Sequence, residues 1–322
     1  MRRRLFGSFA VAAVVSALLM QRAVAAEVYA LGTSAPGSVT YTMAAAIAAA
    51  GNKQGELLRV QSYGSSVQFV PQVESGEVAF AITNVLDLDA AMKGEGDFTG
   101  RPATHLRAVA FLFPFQIGFV VRADSGLERG ADIKGKRVPN YSTQPMFQAM
   151  VRALLANAGV AESEIEYVPI GKYLEAYSAL EDGRVDVPMS VPGQSILSEV
   201  EQRVGALRFL PLDDSPAAVE AMQRVLPLAY VTEVKPNPNF VGVDRPMKML
   251  SYDYVLFANE TVPDGVVAEL VQRLHDNRDA LIESTSKFKA FDPAAMAKPL
   301  PLPYHPGAEA YYRANGVWPT TP

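Results

Sequence analysis

The chain has 322 residues, of which 49% are hydrophobic and 20% charged, and its formal net charge is −5. This composition is typical of a globular protein with enough apolar residues for two domains, and the negative balance argues against a nucleic-acid partner. The chain has no cysteine, which excludes disulfides, thiol catalysis and cysteine-based metal sites.

The first residues have the pattern of an export signal. Arginines at positions 2–4 precede an apolar run at residues 5–20, and the small residues Ala23 and Ala25 follow it. The run is too short to remain as a membrane-spanning helix. We therefore expect residues 1–26 to be a signal peptide, cleaved near Ala25 or Ala26, and the remainder to be a periplasmic protein.

The residues after the signal predict repeated strand–helix–strand units. Strands are expected at residues 27–31, 56–61 and 77–82, and helices at residues 42–50 and 67–75, the second of them interrupted by Pro71. Such repeats form a parallel sheet that is covered by helices. The carboxyl ends of the strands, near Thr33, Tyr63 and Asn84, meet at one edge, where open parallel sheets bind ligands.

The turn between the first strand and the alanine-rich helix is a candidate anion site. Ser38 or Thr40 can cap the helix, and Gly37 lies in the turn before them. The unpaired backbone N–H groups and the positive end of the helix dipole then face out of the turn, where they can hold an anion. An ordinary strand-to-helix turn is the alternative, since such turns are common in α/β domains.

Two long apolar stretches predict that the chain forms two lobes. Residues 106–121 have the pattern of a strand that Pro114 bends and that crosses into a second domain, and residues 249–259 that of the strand that returns. We expect lobe 1 to contain residues 27–115 and 246–322, and lobe 2 to contain residues 116–245. The two crossing strands would form a hinge, and Phe113 and Phe115 would exclude water when the cleft closes on a small ligand.

The second lobe repeats the pattern of strand, polar turn and helix. A turn at residues 139–145 leads into a helix at residues 145–158, and a later turn contains Gln194. Further strands are expected at residues 165–169 and 184–189, and helices at residues 173–181, 195–203, 217–225 and, back in lobe 1, 263–283. Tyr141, in the first of these turns, is equally consistent with ligand contact and with a position in the core.

The residues give little support to catalysis. The three histidines have no carboxylate or histidine partners at metal-ligand spacing, and no G-x-S-x-G motif occurs. We therefore expect a monomer that binds a small organic anion through helix N-termini and hydroxyl groups, with no enzymatic activity, cofactor or metal. The residues expected to bind the ligand are Thr33, Gly37, Ser38, Tyr41, Gly64, Ser65, Asn84, Asn140, Tyr141, Ser142, Thr143, Gln144 and Gln194.

Several segments together resemble the TAXI group of solute receptors for tripartite ATP-independent periplasmic (TRAP) transporters. They are Gly32 and Thr33 with Gly37 and Tyr41, residues 63–67 with 74–77, residues 106–110, 120–126 and 132–138, and the tail at residues 305–316. The tail matches the pattern H-P-G-A-x-x-Y-Y-R-x-x-G and is the most specific of them. The chain departs from the group at predicted ligand turns, where Ser38 replaces a glycine, Asn84 stands in place of a frequent glutamine, and residues 140–144 replace a glycine–serine–glycine–threonine loop.

The resemblance implies an α/β fold of the two-lobed, type II-like periplasmic binding class, with mostly parallel sheets flanked by helices and two hinge-crossing strands. It also implies that the protein delivers a dicarboxylate, an oxo-acid or an acidic amino acid to a TRAP membrane permease. A receptor of an ABC importer or of a sensor kinase would have the same fold and is the first alternative. A secreted enzyme on the same scaffold is the second.

Overall fold

A computed structural model describes residues 27–318 of the chain, so that the expected signal peptide lies outside the described residues. The strands are β1 (Tyr29–Thr33), β2 (Leu58–Ser62), β3 (Phe80–Asn84), β4 (Leu106–Arg122), β5 (Arg137–Asn140), β6 (Glu166–Pro169), β7 (Met189–Ser190), β8 (Leu207–Phe209), β9 (Tyr230–Val234) and β10 (Met247–Asn259). The α-helices are α1 (Val39–Gly51), α2 (Ser66–Glu74), α3 (Val85–Lys93), α4 (Pro145–Asn157), α5 (Glu175–Glu181), α6 (Ile196–Val204), α7 (Pro216–Val225), α8 (Asp264–Asp276), α9 (Arg278–Ser284) and α10 (Pro306–Ala314). None of the helices in this part of the chain is long and apolar enough to cross a membrane.

The main sheet is mixed. Its strands lie in the order β2-β1-β3-β10-β4-β7, with β8 paired to β4 and β9 paired to β10. The pairs of β1 with β2 and β3 are parallel, as is the separate pair β5–β6, whereas β10 and β4 are antiparallel to each of their neighbours. The expected two-lobed α/β fold is confirmed, but its sheets are parallel only in part. The reason is that the chain leaves lobe 1 along β4 and returns along β10, so that the adjacent crossing strands run in opposite directions.

The two crossing strands are paired along most of their length. Their register runs from Leu250 opposite Ile117 to Asn259 opposite Leu106, with irregularities after Tyr254 and after Leu256. Pro114 lies opposite Asp253 close to the first irregularity, where a missing backbone N–H is tolerated. The predicted lobe border after residue 115 falls inside β4, and the border before residue 246 falls just ahead of β10. Both borders remain predictions.

The elements pack into the two lobes around the crossing strands. In lobe 1, α1, α8 and α9 cover one face of the sheet through side chains such as Ile47, Leu270 and Leu281, and α2 and α3 cover the other through Phe69 and Leu88. Lobe 2 contains β5–β9 and α4–α7. Because each lobe-1 helix from α1 to α3 directly follows its strand, the three helix N-termini lie at the edge of the sheet that faces lobe 2.

Several predicted elements differ from those observed. The single helix expected at residues 263–283 is two helices, α8 and α9, because the backbone of Asn277 leaves the helical conformation, with φ −114° and ψ 32°, and its side-chain amide donates to the carbonyl oxygen of Arg273 at 2.8 Å. The strand expected at residues 184–189 is reduced to β7, whose two residues pair with β4. Between residues 208 and 240 the sequence predicts only the helix at residues 217–225, but this stretch also contains β9 and the end of β8.

Candidate functional site: the cleft between the lobes

The lobe-1 side of the cleft is formed by the N-termini of α1, α2 and α3. Ser38 caps α1 by accepting a hydrogen bond at its Oγ from the backbone N–H of Tyr41 at 3.1 Å, which confirms one of the two predicted caps. Asn84 caps α3, since its Oδ1 accepts from the backbone N–H of Asp87 at 2.9 Å. Ser65 precedes α2 without a side-chain cap. The side-chain oxygen of Asn84 is therefore already occupied, and the α2 N-terminus has the fewest internal partners.

The glycines of these turns are exposed, and their role is in the backbone conformation and backbone hydrogen bonding. Gly37 has a φ of 91°, a left-handed conformation that L side chains rarely adopt, and it allows the tight turn into α1. The backbone N–H of Gly64 donates to Oε1 of Gln68 at 2.7 Å, which folds the second turn back onto α2. Tyr41 is half-buried on the first turn of α1. The structure thus brings the lobe-1 residues expected to bind a ligand to one edge of the sheet, and their contact with a ligand remains a prediction.

Thr33 and Tyr141 share an unusual property. Both are 0% exposed, and neither Oγ1 of Thr33 nor the hydroxyl of Tyr141 has a hydrogen-bond partner among the described residues. Thr33 ends β1 in lobe 1, and Tyr141 follows β5 in lobe 2. Burial raises the pKa of Tyr141, so its hydroxyl stays protonated and can donate. A buried hydroxyl without a partner costs about 1–3 kcal/mol, and with no exposed surface neither side chain is open to the cleft in this conformation.

The polar turn of lobe 2 is tied to the loop that precedes α5. The hydroxyl of Thr143 and the side-chain amide of Gln144 both donate to the carbonyl oxygen of Gly171, at 3.2 and 2.7 Å. Ser142 is exposed, and Asn140 is half-buried at the end of β5. The donors of Thr143 and Gln144 are thus used inside lobe 2, so these two residues hold the turn in place in this conformation.

Gln194 is part of a hydrogen-bond network within lobe 2. Its Oε1 accepts from the hydroxyl groups of Tyr173 and Tyr177, at 3.0 and 2.7 Å. The hydroxyl of Tyr177 lies 2.8 Å from that of Ser190. The ring of Tyr173 also stacks on Phe147 at 4.9 Å between centroids, so the network fixes an aromatic wall next to Tyr141.

The floor of the cleft is an aromatic cluster on the crossing strands. The ring of Phe115 lies 5.2 Å from that of Tyr252 and 5.3 Å from that of Tyr254. Burial raises the pKa of both tyrosines, and the nearby charge of Asp87 raises it further. The pKa of Asp87 is itself raised, chiefly by burial, although the hydroxyl of Thr83 donates to its carboxyl group at 3.0 Å. The α3 side of the cleft therefore already contains one half-buried acid.

A cavity of about 180 Å³ opens between the lobes beside this floor. It is lined by Val39, residues 113–116, residues 191–193, Asn237, Asn239, Phe240, Ser286, Lys287, Lys289 and Ala290. Phe113 and Phe115 line the cavity, as expected. Val39 and Gly193 also line it, and they are adjacent in sequence to Ser38 and Gln194, two residues predicted to bind the ligand. Sequence reasoning missed the residues at 237–240 and 286–290, because they lie outside the turns that follow predicted strands and no motif marks them.

The described residues contain no group of three or more histidine, aspartate or glutamate side chains that could hold a metal ion. His305 is buried and caps α10, since its Nδ1 accepts from the backbone N–H of Gly307 at 3.2 Å. His105 lies at the surface, with its Nδ1 2.6 Å from Oε1 of Glu74. These two histidines have structural contacts that explain their positions.

Two lobes, two long crossing strands and a cleft at the carboxyl ends of the lobe-1 strands define the fold of the two-lobed periplasmic binding proteins. The chain matches the NMT1-like family over residues 31–316 and belongs to that family. The match covers nearly all of the described residues.

Solved structures with the same fold are distant in sequence. A TctC solute-binding protein from Polaromonas is 16% identical, with a TM-score of 0.57, over 83% of this chain and 89% of that one. MatC from Rhodopseudomonas palustris, solved with bound malate, is 17% identical, with a TM-score of 0.50, over 84% and 90%. A putative periplasmic sulfonate-binding protein, SsuA from Methylobacillus flagellatus, is 15% identical, with a TM-score of 0.50, over 91% and 88%. At these identities the likeness shows the fold alone.

Proposed function

We propose that the protein is a periplasmic solute receptor that holds a small organic anion between its lobes and delivers it to a TRAP membrane permease. The observation that carries the receptor role is the two-lobed fold itself, in which the crossing strands β4 and β10 leave a cleft between the lobes. A solute that contacted both lobes would favour their closed arrangement.

The helix N-termini of lobe 1 support an anion as the solute. The first backbone N–H groups of α1 and α2 have no carbonyl partner within their own helices, and the positive ends of both helix dipoles face the cleft. The candidate solutes are dicarboxylates, oxo-acids and acidic amino acids. Asp87 lies near the α3 end and disfavours a second negative charge there, so the anionic group belongs near α1 and α2.

The TRAP permease is proposed from the resemblance of the sequence. The tail at residues 305–316, its most specific part, has structural roles here, since His305 caps α10 and the hydroxyl of Tyr312 donates to the carbonyl oxygen of Val109 at 2.6 Å. The match of the tail is therefore stronger evidence for the fold than for the transport partner. An ABC importer or a sensor kinase is the alternative partner, and the genes next to this one would separate these cases. Turnover of a bound solute would instead indicate an enzyme.

Thermal melting of residues 27–322 with a panel of carboxylates, amino acids and sulfonates tests the receptor role. A solute at 100 times its dissociation constant adds roughly 2.7 kcal/mol to the free energy of unfolding. We expect at least one anion to raise the melting temperature by several degrees. Ser65→Ala and Ser142→Ala, which remove exposed hydroxyls from the predicted ligand turns, should each reduce that shift, and Tyr29→Phe, a half-buried control at the start of β1, should leave it unchanged. If only neutral or cationic solutes raise the melting temperature, the anion proposal is wrong.

A further inference from the structure

The cavity beside the hinge carries positive charge without a negative counterpart. Lys287 and Lys289 both line it, and its lining, as far as the structure describes it, contains no aspartate or glutamate. Lys287 is exposed at the cavity, the surrounding protein atoms lower its pKa, and no carboxylate offsets this effect among residues 27–318. A lysine that has no carboxylate partner and lies beside a cavity is a favourable partner for an anionic ligand.

The remaining walls of the cavity combine aromatic and aliphatic side chains with the polar side chains of Gln116, Asn237 and Asn239. Phe113, Phe115 and Phe240 contribute rings from the first crossing strand and from lobe 2. Phe113 is fixed by an edge-to-face contact with Phe288, at 5.4 Å between centroids. The ring of Phe240 occupies the space that a side chain at position 193 would need. A Cβ atom on Gly193 would come within 2.8 Å of a ring carbon. The absence of a side chain at position 193 thus allows the Phe240 ring to pack directly against the backbone of lobe 2.

The size of the cavity limits what it can hold. An apolar cavity of about 150 Å³ binds benzene, and this one measures about 180 Å³. One six-membered ring with a single carboxylate substituent therefore fits this space. A flat ring between aromatic side chains also gains favourable offset or edge-to-face contacts that a flexible aliphatic diacid lacks.

We propose that this cavity makes the receptor selective for an aromatic monocarboxylate, with the carboxylate directed toward Lys287 and the ring between Phe115 and Phe240. The proposal rests on the receptor function proposed above, and it names a ligand class different from the dicarboxylates, oxo-acids and acidic amino acids that the sequence resemblance implies. It makes Lys287 and Phe240 determinants of specificity, alongside the hydroxyl and backbone groups of the neighbouring turns. Asn237 and Asn239 supply further amide donors at the same wall.

Isothermal titration of residues 27–322 with benzoate and, separately, with succinate tests the proposal. Benzoate should bind more tightly than succinate. Lys287→Met should weaken benzoate binding at least tenfold, whereas Lys53→Met, which removes an exposed lysine outside the cavity lining, should change it less than twofold. Phe240→Leu should weaken benzoate more than it weakens succinate, and it provides a second variant if Lys287→Met does not fold.

The possible results separate this proposal from the receptor proposal. Succinate binding without benzoate binding would overturn the aromatic selectivity and leave an organic-anion receptor in place. Benzoate binding that is unaffected by both Lys287→Met and Phe240→Leu would overturn the assignment to this cavity. If neither acid binds and no member of the wider panel raises the melting temperature, both proposals fail.

Discussion

The Nζ atom of Lys298 lies 2.7 Å from Oδ2 of Asp253, where the C-terminal segment of lobe 1 reaches the second crossing strand. The same ammonium group donates to the hydroxyl of Tyr230 on β9 at 3.0 Å and lies 4.2 Å from the centre of its ring. The Asp253 side chain is only 7% exposed. One lysine therefore joins a segment of lobe 1 to a strand of lobe 2 at the back of the hinge.

We expect Lys298→Met to lower the free energy of unfolding by about 3 kcal/mol. Removing one partner of a buried ion pair leaves the other charge uncompensated, which costs about 3–5 kcal/mol, and the lower end applies because Lys298 is itself partly exposed. Lys93→Met, which breaks the surface pair with Asp89, should cost no more than about 1 kcal/mol. Urea unfolding measures both. Equal losses for the two variants would show that the Asp253 pair is not buried in solution.

Thr33→Val should stabilise the ligand-free protein by about 1 kcal/mol, because it removes a buried hydroxyl that has no partner and keeps the β-branched shape. Thr83→Val is the matched control in the neighbouring strand β3. The hydroxyl of Thr83 donates to Asp87, so its removal should destabilise the protein. Urea unfolding without ligand measures both signs. A loss of stability for Thr33→Val would indicate that its hydroxyl is hydrogen-bonded in solution.

Gly307→Ala should destabilise the protein by about 3 kcal/mol, the upper part of the range for overpacking. A Cβ atom at position 307 would lie 2.2 Å from the backbone oxygen of Asp264, so α10 and α8 would have to separate. Gly265→Ala, in the first turn of α8, meets nothing within 4 Å and should be neutral or stabilising by up to about 1 kcal/mol. Thermal unfolding would distinguish them, and a stable Gly307→Ala protein would contradict the close packing of these helices.

Asp87→Asn should change how stability depends on pH. Burial raises the pKa of Asp87 above its ordinary value of 3.8. Below that value both the folded and the unfolded chain hold the proton. As the pH rises above it, the unfolded chain loses the proton first, so ionisation favours unfolding and this residue costs stability. The free energy of unfolding of the variant, relative to the natural protein, should therefore increase as the pH rises above about 4. An unchanged difference, measured by urea unfolding, would contradict the raised pKa.

The parts of the fold that follow from local patterns could be predicted from the sequence. Strand–turn–helix units in lobe 1, the crossing strands and the Ser38 cap depend on residues close together in the chain. The break between α8 and α9 could not be seen, because Leu270, Leu274 and Leu281 continue one apolar stripe across it and all pack on the same face. The first helix ends at the non-helical backbone of Asn277, and the apolar periodicity does not show this.

The candidate site was only partly predictable for a related reason. The turns at the strand ends have recognisable residues, so Thr33, Ser38 and Asn84 could be named. The cavity depends instead on contacts between residues that are far apart in the chain, such as Phe115, Phe240 and Lys287. No local pattern marks such a meeting of segments, since it arises only when the lobes pack against the hinge. For the same reason β9 was missed, because its pairing with β10 is what makes it a strand.

The position of β10 also determines the order in which the chain can fold. In the sheet β10 lies between β3 and β4, but along the chain it follows the whole of lobe 2. During synthesis, β1–β4 therefore emerge without the strand that joins them, and their sheet can close only after residue 259 has been made. Pairings over such sequence distances form slowly and leave apolar strand edges exposed in the meantime. The lobe whose first strand emerges earliest is thus the one completed last, and its unpaired strand edges stay exposed until β10 has been made.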